Sequence, residues 1–261
     1  LKAINPRLVF CALTGYGQDG PWRDKAGHDL NYCGYAGVLD QTGAADTAPA
    51  MSGFQVADLA GGALTAALGI VAAAMGAKAS GTGCFVDVAM LDGTLALQAT
   101  TLASLRALGS AAPRGGDMLT GALPNYAVYE TADGAHMAMG ALESKFFQAF
   151  CKAVQRPDLA KMPLAPGRLG EPLRAALATL FKSKTRDEWA VLLADADCCV
   201  TPILKPAEAL DSAQAKARAL VTSANGKPAI ALPLVFDGLR GVAVGDAPKL
   251  GADNIAVLGR A

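Results

Sequence analysis

Only two histidines occur in the 261 residues, and one of them, His28, lies in Ala26-Gly27-His28-Asp29-Leu30-Asn31-Tyr32. Imidazole is the side chain most easily poised as a proton acceptor near neutral pH. Asp29 follows it directly, and Ala26 and Gly27 give it a small, flexible approach. Two further carboxylates stand out by their setting. Asp58 stands at the head of a long apolar helix, and Glu143 follows the apolar run Met137–Leu142. Bases carried on different elements can face one another across a substrate and move a proton through it. The same residues also fit a simpler account, a loop histidine beside a turn-forming aspartate. Residue types alone leave both open.

The elements that must position these groups are legible in part. Arg7–Thr14 predicts a buried strand that ends at Gly15-Tyr16-Gly17, and Asn31–Leu39 a short helix leading to a glycine turn. Gln41–Met51 predicts a loop of small residues. Leu59–Ala77 carries no charge and is long enough to span a bilayer, yet glycine, alanine and threonine fill most of it. Such residues give little insertion energy, so the stretch predicts a buried helix packed closely through its small side chains. Asp58 at its start is placed to cap free N–H groups and meet the positive end of the helix dipole. Cys84–Met90 predicts a second strand and Leu91–Leu108 a further helix. Strand and helix thus alternate over 8–108, the pattern of a parallel α/β sheet.

Composition shifts at the Gly/Pro/Ser-rich linker Gly109–Asp117, which contains Arg114. Beyond it, Tyr126–Thr131 and Ala135–Met139 flank Asp133-Gly134, a strong hairpin signal. Helices are predicted over Glu143–Val154, Pro172–Phe181 and Thr185–Leu193, the last opened by a capping-box pattern, Thr185 with Glu188. A short strand, Cys199–Leu204, is interrupted by Pro202. Residues 226–261 carry no chemical cluster. Three regions follow: a large α/β part over 1–115, a small α+β part over 116–225, and a C-terminal stretch, 226–261, returning to the large one.

Hydrophobic residues make up 52% of the chain and aromatics only 6%, which favours closely packed helices around a sizeable core. With 23 basic and 23 acidic side chains the formal charge is zero, and nothing marks a nucleic-acid or anionic-membrane partner. Cys11, Cys33, Cys84, Cys151, Cys198 and Cys199 form no C-x-x-C pair and have no metal-ligand spacing; scattered thiols of this kind fit a cytoplasmic protein without a metal. Cys33 predicts a packed thiol, and His136 a surface strand residue. The opening Leu1-Lys2-Ala3-Ile4-Asn5-Pro6 reads as the interior of a longer chain.

A series of ordered blocks resembles the family III CoA-transferase superfamily (CaiB/BaiF type), and within it the α-methylacyl-CoA racemase branch. These are Asn5-Pro6-Arg7-Leu8-Val9 with Gly15-Tyr16-Gly17-Gln18, Gly27–Tyr32, Ala57-Asp58, Val86–Gly93, Ala112–Leu119, Tyr129–Gly134, Met139–Glu143 and Cys199–Pro202. The resemblance implies part of a Rossmann-like large domain plus a small α+β domain, with about a hundred further residues at the N-terminus in full-length members. It implies an interlocked homodimer, and CoA as part of a thioester substrate with no separate cofactor. It also implies chemistry at an α-carbon: inversion of a 2-methyl-branched acyl-CoA through an enolate. His28 and Asp58 would be the two bases, and Glu143 would support His28. Gly27, His28, Asp29, Leu30, Asn31 and Tyr32 would touch CoA near the thioester, and backbone N–H groups at Asp58 would lie near the enolate oxygen. Two alternatives remain: a true CoA-transferase with Asp58 as nucleophile, and a non-catalytic CoA-binding subunit.

Overall fold

A computed structural model describes the chain except for residues 225, 242–246 and 260–261. It divides into two compact units, Leu1–Thr201 and Pro202–Ala261.

The first unit opens with strand β1 (Phe10–Thr14). Helices α1 (Asp29–Tyr35) and α2 (Val38–Gln41) follow. The sequence predicts one helix here; Gly37, at φ 78°, adopts a left-handed conformation that breaks it in two. The long helix α3 (Val56–Ser80) comes next. Its first turns, Ala57–Leu64, have the wide π winding, and Thr65–Ser80 are α-helical up to a left-handed Gly81 cap. Strand β2 (Phe85–Ala89) then pairs parallel with β1, in the register Phe10↔Phe85 to Thr14↔Ala89. Parallel strands need a long crossover, and α1 to α3 supply it. Helices α4 (Met90–Ala96) and α5 (Ala99–Leu108) replace the single helix expected over 91–108.

Helix α3 meets α4 where two glycines cross. A Cβ on Gly93 would run into the carbonyl of Gly61, and a Cβ on Gly61 would come within 2.8 Å of the Met90 carbonyl. Small residues therefore do pack closely, as expected, but only along one line of α3: Ala57, Gly61, Gly62, Ala66 and Ala77 are buried. The expectation of a buried helix is otherwise corrected. Leu64, Leu68 and Met75 are 69%, 73% and 69% exposed, because no element of this unit covers that side. The two-stranded sheet is similarly bare, with Phe10 and Phe85 stacked at 5.6 Å and about half exposed.

The hairpin forms as predicted. Strands β3 (Tyr126–Glu130) and β4 (His136–Gly140) pair antiparallel around Asp133-Gly134, and exposed His136 sits opposite Glu130. Helices α6 (Ser144–Ala153), α7 (Glu171–Phe181) and α8 (Arg186–Leu193) follow, and β5 (Val200–Pro202) joins the other edge of β4. The i, i+4, i+8 spacing of Leu173, Leu177 and Phe181 turns one face of α7 into the core. There Phe181 stacks on Tyr129 at 5.0 Å and accepts the Trp189 indole N–H at 2.8 Å. The Thr185/Glu188 capping box is present.

The second unit holds α9 (Pro206–Asp211), α10 (Ala213–Ala217), the pair β6 (Val221–Ala224) and β7 (Lys227–Ile230), the pair β8 (Val235–Phe236) and β9 (Leu239–Arg240), and α11 (Asn254–Leu258).

Candidate functional site

His28 is the residue before α1, and the turn that presents it is tied from both sides. Its own backbone N–H donates to Asn31 Oδ1 at 3.0 Å, and the Tyr32 hydroxyl donates to the Gly27 carbonyl at 2.6 Å. Tyr32 is buried among Tyr16, Trp22 and Tyr35 in an aromatic cluster, with Tyr16 edge-on to it at 5.1 Å. The cluster leaves no room for side chains on the approach: a Cβ on Gly15 or on Gly27 would sit within 2.7 Å of the Tyr32 ring. Burial, then the neighbouring Tyr16 and Asp58, push the Tyr32 hydroxyl above its ordinary pKa, so it stays a proton donor. Asn31 Oδ1 and the Tyr32 hydroxyl are thus spent on loop anchoring.

Asp29 takes the capping role that the sequence suggests for Asp58. Helix α3 starts with Asp58 already inside its first turn, and the carboxylate that receives its free N–H groups is Asp29. Oδ1 of Asp29 accepts from Ala57 N–H at 2.6 Å and from Asp58 N–H at 3.1 Å. The next amide, Leu59, donates to the Gln55 carbonyl. The expected capping by Asp58 is therefore corrected, and so is the expectation of free amides for an enolate oxygen at this helix end. An aspartate that reaches in from another element has taken them. Oδ2 of Asp29 lies 3.7 Å from the Cys33 sulfur. Cys33 is buried as expected, and desolvation followed by the Asp29 charge raises its thiol pKa.

His28, Asp29, Leu30, Cys33 and Asp58 line one cavity of about 380 Å³. Its remaining wall is largely apolar: Val38, Leu39, Met51, Phe54 and Val56. The sequence singled out none of these, although Met51 and Phe54 are bulky residues in an otherwise small-residue loop next to Asp58. That loop is pinned by Arg114, another residue that sequence reasoning noted only in passing. Its guanidinium donates to the carbonyls of Asp40 (2.9 Å), Ala44 (3.3 Å) and Thr47 (2.8 Å). The loop also borders a second, wider cavity of about 1100 Å³, which Arg174, Glu171 and Tyr126 line.

Glu143 is not among the residues that line the His28 cavity. It is exposed and precedes α6 as its N-cap residue. The structure thus brings two of the three expected catalytic residues together within this chain and leaves the third apart.

The model of CoA-transferase family III matches residues 1–254. The chain belongs to that family. Human α-methylacyl-CoA racemase is 36% identical over 209 residues, which are 78% of this chain and 53% of the human protein. Succinyl-CoA–D-citramalate CoA-transferase of Chloroflexus aurantiacus is 34% identical over 163 residues, 62% of this chain and 40% of that protein. The crystal structure of a CAIB/BAIF family protein from Brucella suis superposes with a TM-score of 0.83 at 27% identity, covering 99% of this chain and 69% of that one. The chain spans a little over half the length of the racemases it matches. Within CoA-transferase family III, both racemases and transferases are therefore similar to it. The mixed α/β fold read from the sequence is that of the Brucella protein.

Proposed function

We propose that the chain takes part in inverting the α-carbon of 2-methyl-branched acyl-CoA thioesters by two-base proton transfer. The observation that carries this reading is the shared cavity: a histidine and a carboxylate from different elements open into one apolar-walled space. The presence of racemases among its relatives supports this reading. In this scheme one base removes the α-proton and leaves a planar enolate conjugated with the thioester carbonyl. The conjugate acid of the other base then delivers a proton to the opposite face. Each residue exchanges roles with the handedness of the substrate. The apolar wall of Leu39, Met51, Phe54 and Val56 suits a branched acyl group.

Assembly belongs to the same proposal. The bare side of α3 and the stacked Phe10–Phe85 pair each present apolar surface of a kind that a soluble monomer rarely leaves uncovered. We infer that further α/β structure and a second copy of the chain, in an interlocked dimer, cover it and complete the CoA grip. Glu143 reaches His28 in this scheme only from the second copy. A compact, well-folded monomer in sedimentation at low micromolar concentration would refute the assembly.

The chemical test is solvent deuterium incorporation at the α-carbon, followed by NMR from each enantiomer in heavy water. The intact enzyme incorporates from both hands. His28→Ala retains exchange only for the hand whose proton faces Asp58, Asp58→Asn only for the other, and racemisation falls about a hundredfold or more in each. The transferase reading rests on the similarity to CoA-transferases and on Asp58 as nucleophile. Transfer of CoA to an added carboxylic acid, with no α-exchange, would establish it and overturn the racemase reading.

A further inference from the structure

His28 and Asp58 are carried by different elements, and a proton relay between them works only if their separation is held to a fraction of an ångström. The Asp29 carboxylate spans the gap. Asp29 is bonded to His28 through a single peptide, and its Oδ1 accepts the amide of Asp58 itself, at 3.1 Å, together with that of Ala57, at 2.6 Å. The His28 end is held in turn by Asn31 Oδ1 and by the Tyr32 hydroxyl on Gly27. The Asp58 end is held by the close crossing of Gly61 over α4. Asp29 is half-buried between these two fixed bodies, and it is the carboxylate that takes the amides of both Ala57 and Asp58, with the Cys33 sulfur of α1 beside the same Ala57 amide. Its oxygens are engaged, Oδ1 twice and Oδ2 with the Cys33 thiol at 3.7 Å.

We propose that Asp29 is a positioning residue that sets Asp58 relative to His28; this rests on the proton-transfer reading above. An ordinary helix cap would contribute stability alone. A strut between the two bases acts on the reaction at one face of the substrate, because its loss moves the Asp58 backbone and leaves His28 on its own tied turn.

The test is enantiomer-resolved α-deuterium exchange, on the assembly in which wild type exchanges, with Asp29→Ala and Asp29→Asn. Asp29→Ala is expected to slow exchange about tenfold or more from the hand facing Asp58. Exchange from the other hand should fall by clearly less than from the hand facing Asp58. Asparagine retains an acceptor oxygen at the same reach and is expected to recover the Asp58-side rate to within about threefold of wild type. Amide hydrogen exchange at Ala57 and Asp58 should quicken in the alanine variant and remain slow in the asparagine variant. Should alanine prevent folding, Asp29→Ser, with a shorter acceptor, carries the same one-sided expectation. Equal loss from both hands, or no loss from either, overturns the positioning role while leaving proton transfer intact. Wild-type protein that exchanges neither hand overturns the proton-transfer reading itself, and the positioning role with it.

Discussion

Gly61→Ala is a single-methyl perturbation at the crossing that seats Asp58. The added Cβ would stand 2.8 Å from the Met90 carbonyl oxygen and 2.9 Å from the Thr94 amide nitrogen, with the Thr94 hydroxyl nearer still. Ordinary contact begins near 3.4 Å, so the two helices must part by at least about 0.6 Å. Thr94 cannot swing away, since it is fully buried and its hydroxyl donates to the Met90 carbonyl at 2.7 Å. Overpacking of this kind costs roughly 1–3 kcal/mol, a fall in Tm of about 3–9 °C for a unit of this size. Gly76→Ala is the matched control on the same helix. Nothing lies within 4 Å of its Cβ, and alanine's better helix propensity should stabilise by about 0.5–1 kcal/mol. Scanning calorimetry of both variants reads the difference, and deuterium exchange of the α-carbon reads the displacement of Asp58 three residues upstream. If Gly61→Ala melted with wild type or above it, the close crossing would not be holding α3, and the account of how Asp58 is seated would fail.

Other outcomes follow from the same geometry. Phe150→Ala empties a fully buried site stacked on Phe181 at 5.7 Å and should cost about 3–5 kcal/mol in urea unfolding. Burial pushes the Cys151 thiol up to about 11, so the folded state favours the protonated form. The stability this contributes is complete below the ordinary thiol pKa, near ~8.5, and is lost as pH rises towards about 11; Cys151→Ala should flatten that alkaline decline in Tm. Arg114→Lys cannot serve three carbonyls with one ammonium as the guanidinium fork does, so amide exchange at Ala50, whose N–H donates to Thr42, should quicken about tenfold. On the proposed proton-transfer reading, Glu143→Gln should lower kcat more than it raises KM; a raised KM with intact kcat would refute the supporting role proposed for Glu143.

Local chemistry made much of this protein legible from its residues. The hairpin at Asp133-Gly134, the Thr185/Glu188 box, the strand ending at Thr14 and the three helices of the small core are each specified within a few residues of themselves. The blocks around His28 and Asp58 pointed to the family, and the cavity does hold both residues. Apolar periodicity failed where a backbone break or a distant group decided the matter. Gly37 and the Leu97-Gln98 junction broke helices that apolar periodicity ran straight through. Apolar content predicted a buried α3, but burial depends on what lies opposite, and among the described residues Leu64 and Leu68 of α3 stay largely exposed. The capping of α3 shows the limit most plainly. Asp58 is the acid at the helix start in sequence, yet the acceptor is Asp29, twenty-eight residues before Ala57, because folding α1 against α3 brings a second carboxylate onto the same amides. Hydrogen bonds of that span depend on the separation of two elements in space, which the sequence encodes only through the whole packing of the chain.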